Sequence, residues 1–309
     1  MTNYAVVFGS INIDLVSKTP RLPLPGETLT GHSFATAPGG KGANQAVAIA
    51  KLGVPSYMVG RVGGDNFGRE LLASLEAAQV KTENIFVDES VSSGVAAIAV
   101  ADDGENQIIV IPGANGRVDE TDVERLQSAL SGATILLLQL EIPLNIVIAA
   151  AQAAKTAGIK VILDPAPVQN LPDKLYPLVD IITPNETEAG RLVGFPVEGQ
   201  EAASEAAQVL LQKGVGNAIV KLGAKGVICA TKKETFFTPA FSVTAVDTVA
   251  AGDAFNGGLA AALVEGLPLR QAIVWGAATG ALAATKPGAQ AAMPDRDTFH
   301  SFLARSGTT

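Results

Sequence analysis

The 309-residue chain predicts an α/β fold with a mainly parallel central sheet, and three observations carry that prediction. Short, uninterrupted apolar runs recur along the sequence, amphipathic helical patterns separate them, and two turn-rich segments break the alternation. A strand buried on both faces reads as a continuous apolar run, whereas a half-exposed strand alternates. The runs therefore imply parallel strands sandwiched between layers of helix. Hydrophobic residues make up 48% of the chain and charged residues 17%. That suffices for one large domain or two smaller ones and argues against disorder.

In chain order, strands are expected at 5–8, 57–59, 135–138, 160–163, 181–183 and 218–221, with a further candidate at 227–230. Helices are expected at 42–52, 65–78, 120–130, 143–157 and 201–213. From Asp253 to Ala284 the pattern is helical and rich in Ala and Gly, interrupted by the turn Gly266-Leu267-Pro268. The first odd segment, 17–36, carries prolines and the turn Pro25-Gly26-Glu27. The second, 93–111, reads as a hairpin around Asp102-Asp103-Gly104-Glu105. Together they fit a small antiparallel layer whose apolar face needs a ligand or a second subunit, or else two ordinary surface hairpins.

Composition excludes several function classes. A net charge of −8 leaves no electrostatic footprint for nucleic acid. The single cysteine, Cys229, permits no internal disulfide, fits a reducing cytoplasm and reads as an inert strand residue. Only His32 and His300 are present, without metal-ligand spacing, which disfavours a His-ligated zinc site or a Ser-His-Asp hydrolase. The N-terminus shows no signal-peptide pattern, and no apolar run is long enough to span a membrane.

Chemistry concentrates in a few places. The segment from Asp247 through Ala250, Ala251 and Gly252 to Asp253 places small residues before a helix start. Such residues let backbone N–H groups approach an anion, and a carboxylate at the mouth suits phosphoryl transfer to a hydroxyl; the bland alternative is a Gly-Asp turn with an N-cap. Gly39-Gly40-Lys41-Gly42-Ala43-Asn44 opens a helix but is neither a P-loop nor a dinucleotide fingerprint. Its glycines would bring amides to a polyhydroxylated ligand, with Lys41 and Asn44 as donors. Asn12 and Asp14 follow the first strand, alternate, and so point the same way. Together they suit a sugar diol, or local Asx-turn chemistry. Glu141 lies just past the carboxyl end of an expected parallel strand, where open α/β sheets bind ligands. Asn185 and Glu188 stand three apart at a helix start, as a capping box or as a site that positions Mg²⁺ through water. Lys221-Leu222-Gly223-Ala224-Lys225-Gly226 joins two strands and lies along a nucleotide or forms a plain hairpin turn. Lys286-Pro287-Gly288 breaks the last long helical region.

In this order the motifs resemble the ribokinase/phosphofructokinase-B family of sugar kinases over essentially the whole chain. The most specific element is Asp247-Thr248-Val249-Ala250-Ala251-Gly252-Asp253, similar to the family's Asp-Thr-x-(Gly/Ala)-Ala-Gly-Asp signature. The resemblance implies a three-layer α/β/α sandwich in one domain, with the segments at about 15–36 and 93–111 forming a β-sheet lid that also makes a homodimer. It implies ATP-dependent phosphorylation of D-ribose at O5. Asp253 is then the catalytic base, and the amides of Ala250, Ala251, Gly252 and Asp253 form the anion hole. Asn12, Asp14, Gly40, Lys41, Gly42, Ala43, Asn44, Glu141 and Asp253 match sugar-contacting positions. Asn185, Gly252 and the turn from Lys221 through Leu222, Gly223, Ala224 and Lys225 to Gly226 match ATP-contacting positions. Glu188, with Asn185, matches the Mg²⁺ pair. Asp247, Val249, Ala283, Lys286, Gly288 and Ala292 match the loops that hold K⁺.

The sequence departs from the family pattern in places. Lys221 stands where Thr is frequent, Ala292 where a hydroxyl residue occurs, and Ala250 where many relatives have Gly. An alanine there presents its amide provided φ stays negative. The helix at 273–282 offers no Asn or His for an adenine edge. The competing functions are a kinase of deoxyribose, fructose, 2-keto-3-deoxygluconate or adenosine, and a non-catalytic sugar sensor on the same fold. A sensor has no need for a proton acceptor at an anion cradle, and a nucleoside pocket calls for an apolar wall that 5% aromatics do not make obvious.

Overall fold

The computed structural model describes residues 3–307 and contains a nine-stranded and a four-stranded sheet. The large sheet holds β1 (Ala5–Phe8), β4 (Ser56–Gly63), β5 (Lys81–Asp88), β8 (Ile135–Leu138), β9 (Lys160–Leu163), β10 (Ile181–Ile182), β11 (Asn217–Lys221), β12 (Gly226–Thr231) and β13 (Thr235–Pro239). Their spatial order is β13-β12-β11-β10-β9-β8-β1-β4-β5, parallel throughout except for the antiparallel β11-β12-β13 edge. The small sheet holds β2 (Asn12–Thr19), β3 (Ser33–Gly39), β6 (Gly94–Ala101) and β7 (Asn106–Ile111), in the order β3-β2-β6-β7.

Among the described residues nine α-helices accompany them: α1 (Lys41–Lys51), α2 (Asn66–Ala77), α3 (Glu120–Leu130), α4 (Leu144–Thr156), α5 (Glu186–Val193), α6 (Gly199–Gln212), α7 (Ala251–Val264), α8 (Leu269–Ala283) and α9 (Arg296–Arg305). Alternation along β1 explains the layering. Ala5 and Val7 enter the core shared with α1, α7 and α8, whereas Val6 and Phe8 enter the core shared with α3, α4 and α6. Ile135 and Leu137 against Leu136 and Leu138 repeat the division on β8. Both faces are buried, so both parities must be apolar. Cys229 lies fully buried on β12, and burial pushes its thiol up to about 12. Among the described residues, no helix is long and apolar enough to cross a membrane.

The strand order fixes where a ligand binds. From β1 the chain moves outward to β4 and β5, then returns to β8 on the other flank of β1. A crevice opens at the carboxyl ends of the strands where the order reverses. The small sheet starts there. It extends beyond the expected segments, because pairing begins with Asn12 opposite Gly39 and Gly94. Asn12 and Asp14 thus belong to the small sheet and not to the end of β1. The chain leaves the main sheet through Gly9-Ser10-Ile11 without a turn motif to announce it. Every position of β7 is exposed, including Ile108, Ile109, Val110 and Ile111.

Candidate active site

A cavity of about 660 Å³ lies at the carboxyl ends of β9, β10 and β11, against the starts of α1 and α7. Lys41, Asp164, Asn185, Glu188, Lys221, Gly252 and Asp253 supply its polar side. Phe241, Val243, Ala277, Gly280, Ala281 and Ala284 supply an apolar one. A second concavity of about 740 Å³, lined by Glu186, Arg191, Phe195 and Lys225, contains none of the buried carboxylates. Its Lys225 and Glu186 pair with each other at 3.4 Å.

Asp253 sits in the first turn of α7 and is 5% exposed. Asn44 Nδ2 donates to its Oδ2 at 2.9 Å, and Gln45 Nε2 to its Oδ1 at 3.1 Å. Burial pushes the carboxyl above its ordinary range and the Asp164 carboxylate adds to this; the Lys41 ammonium and the two amide donors oppose it. Gln45 Nε2 also donates to Asp164 Oδ2 at 3.0 Å, while Gln139 Nε2 donates to Gln45 Oε1 at 2.7 Å. Lys221 Nζ reaches Asp164 Oδ1 at 3.1 Å. Burial works against the Lys41 ammonium, but Asp253, Asp164, Glu141 and Glu188 outweigh it and raise its pKa.

The glycines of the 39–42 run make room more than they reach outward. At Gly42 a Cβ would meet the backbone of Gly9 and Ser10 at 2.8 Å, so α1 packs directly on the passage out of β1. At Gly39 it would meet the Asp14 carboxylate at 2.4 Å. Gly40 has φ +88°, where only glycine is unstrained. Glu141 Oε2 accepts from Ser10 Oγ at 2.5 Å and from Lys41 N–H at 3.2 Å, which seats it at the start of α1. Ala43, in the same turn, is fully buried against the core. Asp14 is half-buried, and its carboxyl is pushed up to about 6 by burial first and then by Glu141 and Asp253. A protonated carboxyl no longer accepts from two hydroxyls. The KM of a polyol substrate should therefore rise as pH falls below about 6, and Asp14→Asn should flatten that limb of the KM–pH profile. An unchanged limb in the variant would remove Asp14 from the interpretation.

Ala250 adopts φ +58°, in the left-handed region, so the condition of a negative φ is not met. The tight turn before α7 requires this, and Ala251 N–H is drawn onto Thr248 O at 3.2 Å. Of the four amides expected to face an anion, those of Ala250, Gly252 and Asp253 remain without a protein acceptor among the described residues. A left-handed alanine costs about 1–2 kcal/mol, and glycine's extra freedom when unfolded returns about 0.5–1 kcal/mol. Ala250→Gly should consequently gain roughly 0.5–1 kcal/mol of stability by urea titration; a loss would show that the alanine methyl has packing value that outweighs the strain.

The other expected sites are placed as follows. Asn185 and Glu188 form a reciprocal capping box, both bonds at 2.8 Å, and still line the cavity. Burial and Asp164 raise the Glu188 pKa, against Lys221 and Lys41. The 221–226 turn is a hairpin between β11 and β12: Leu222 N–H donates to Gly226 O, and Gly223, Ala224 and Lys225 are exposed. Asp247 Oδ1 accepts from Val249 N–H and Oδ2 from Gly288 N–H, each at 2.9 Å. Its side chain thereby binds the two loops together. Ala283 O accepts from Lys286 N–H at 3.2 Å, and Ala292 is buried in a short 3₁₀ turn.

Sequence reasoning missed Asp164, Gln45 and Ser10 as site residues. Asp164 had a signal, since it follows β9 as Glu141 follows β8. Gln45 directly follows Asn44 in the first turns of α1.

The pfkB family carbohydrate kinase profile matches residues 2–296. The chain belongs to this family. Among the pfkB family's curated members, a ribokinase of Haemophilus influenzae is 43% identical over 303 residues, covering 98% of this chain and 99% of the relative. A deoxyribokinase of Salmonella typhi is 38% identical over 298 residues, covering 96% and 97%. Among solved structures, Arabidopsis thaliana ribokinase complexed with ribose and ATP superposes with a TM-score of 0.90 at 37% identity, covering 98% of this chain and 99% of that one.

Proposed function

We propose that the protein transfers the γ-phosphoryl group of ATP to O5 of D-ribose, giving D-ribose 5-phosphate and ADP. The observation that carries this reading is Asp253, a buried carboxylate with raised proton affinity beside the unpaired amides of α7. A base of raised pKa is better matched to a hydroxyl proton, and amides fixed by a helix start need no reorganisation as charge develops. Asp253 takes the proton from the sugar hydroxyl as that oxygen attacks phosphorus. The amides of Gly252 and Asp253, with Lys41, meet the charge on the transferring group. Asn12, Asp14, Asn44 and Glu141 hold the remaining hydroxyls. Asn44 Oδ1 is buried without a protein partner among the described residues, which suits it to accept from one of them.

The nucleotide runs along Asn185 and the 221–226 turn. Its base occupies the slot between Val243 and α8, where Ala277, Gly280, Ala281 and Ala284 share one face and leave room for a flat ring. Among the described residues no three His, Cys, Asp or Glu side chains gather as a metal cage. Glu188, which lines the cavity with Asn185, would hold Mg²⁺, and the ion would supply charge neutralisation there. The loops joined by Asp247 would hold K⁺ among backbone carbonyls beside α7. The small sheet is a lid that excludes water, and its exposed row Ile108–Ile111 forms a homodimer contact. A single buried Cys229 is in keeping with a cytoplasmic enzyme.

The test is ATP-to-ADP turnover against ribose, deoxyribose, fructose and adenosine, each with K⁺ and with Na⁺. Ribose should give the highest kcat/KM, with stimulation by K⁺. Deoxyribose surpassing ribose would reassign the substrate within the family, and no turnover on any of the four would overturn the reading.

A further inference from the structure

Asn115 has no part in the chemistry above, yet its side chain makes three hydrogen bonds at the base of the small sheet. It is 1% exposed, in the 3₁₀ turn Gly113–Arg117 that follows β7. Its Oδ1 accepts from Ile11 N–H at 2.9 Å, and its Nδ2 donates to Ile11 O at 3.1 Å. A backbone unit offers one donor and one acceptor, so these two bonds allow only one orientation of the Asn115 amide. The second Nδ2 hydrogen goes to Asn12 Oδ1 at 2.7 Å. Asn12 must therefore turn its oxygen toward Asn115. Its own Nδ2 has no protein acceptor among the described residues and is left as a donor. Gly94 is shaped to this pair. It stands opposite Asn12 in the β2–β6 ladder, and a Cβ there would lie 2.2 Å from Asn115 Nδ2 and 2.3 Å from Asn12 Oδ1.

We propose that Asn115 is a positioning residue for sugar recognition, which fixes the Asn12 amide so that it donates to a hydroxyl oxygen of the sugar. The proposal rests on the reading of Asn12 as a sugar contact. Asn115→Asp places an acceptor where Nδ2 stands, which gives up the bond to Ile11 O and turns Asn12 so that it offers its own oxygen to the sugar instead. A site built to donate one hydrogen bond discriminates strongly when that bond is lost.

The experiment is steady-state kinetics with sugar and ATP varied separately, on wild type, Asn115→Asp and Gly94→Ala, with thermal melts to check folding. The ribose KM should rise about tenfold or more in both variants, while the ATP KM and kcat stay within about threefold. In an Asn12→Ala background, Asn115→Asp should change the ribose KM less than about twofold further, because the group it acts through is gone. An unchanged ribose KM in either folded variant, a parallel rise in the ATP KM, or a full additional effect in the Asn12→Ala background would overturn the proposal. If Asn115→Asp does not fold, Gly94→Ala decides alone by the same split. A wild type inactive on ribose overturns the functional reading itself, and this is seen before any variant is made.

Discussion

Asp253→Asn should lower kcat by about 10²–10⁴-fold while ribose and ATP KM values stay within a few-fold of wild type. The substitution keeps the shape of the side chain and removes its basicity. Its new amide faces one of the two donors that Asp253 now satisfies, Asn44 Nδ2 or Gln45 Nε2. Asn44 can resolve that conflict by turning, since its Oδ1 is buried and uncommitted. The variant also removes a buried negative charge whose ionised form burial opposes. Folding stability should accordingly hold or increase. A kinetic defect with an intact melting temperature separates loss of the base from loss of the fold. Turnover within tenfold of wild type would remove Asp253 from the role of base and leave it as a helix-start residue tying α1 to α7.

This separation matters because Asp253 has two connections. Through Asn44 and Gln45 it joins α1 to α7, and through Gln45 it is linked to Asp164 and so to Lys221. The chain Gln139–Gln45–Asp253 holds the carboxylate in place before any substrate arrives. Gln139, Asp164 and Lys221 stand at the ends of β8, β9 and β11, and Asp253 stands at the start of α7. The rigid sheet therefore sets the geometry, and displacing one element by a fraction of an ångström would be felt in kcat.

The interior of the large sheet was legible in the sequence because both faces of β1, β8, β9 and β11 are buried, which leaves apolar runs without gaps. Edge elements were not. β5 mixes exposed and half-buried positions, and β13 is half-exposed along its length, so neither presents such a run. Helix α9 announces itself mainly by its cap, Asp295, which accepts from Thr298 N–H. Asp253, Lys41, Asn44 and Glu141 were singled out by local motifs. The Lys221–Asp164 pair spans 57 positions and has no local pattern. Asn115 and Asn12 lie 103 apart and meet only because two strands enter the small sheet at the same point. The left-handed Ala250 was invisible for a different reason: alanine rarely adopts that conformation, and here a tight turn imposes it.

The largest stability loss is expected far from the chemistry, at Arg61. Its side chain leaves β4 and is 8% exposed among three carboxylates, with Nε to Asp122 Oδ2 at 2.6 Å, Nη2 to Asp119 Oδ1 at 2.8 Å and Nη1 to Asp88 Oδ2 at 3.6 Å. The Asp122 side chain is wholly buried and among the described residues keeps only Arg125 as another cationic partner. Removing one side of a buried pair strands a charge, which typically costs about 3–5 kcal/mol, whereas replacing both sides is far less costly. Arg61→Ala should therefore lose about 3–5 kcal/mol in urea titration, and adding Asp122→Asn should recover part of it. Turnover per folded molecule should be unchanged, because the cluster ties β4, the end of β5 and α3 together outside the cavity. A loss below about 1 kcal/mol would mean that water or Arg125 satisfies Asp122 unaided. A fall in kcat at equal folded fraction would instead tie this cluster to the small sheet, whose β7 leads through the 113–117 turn into α3.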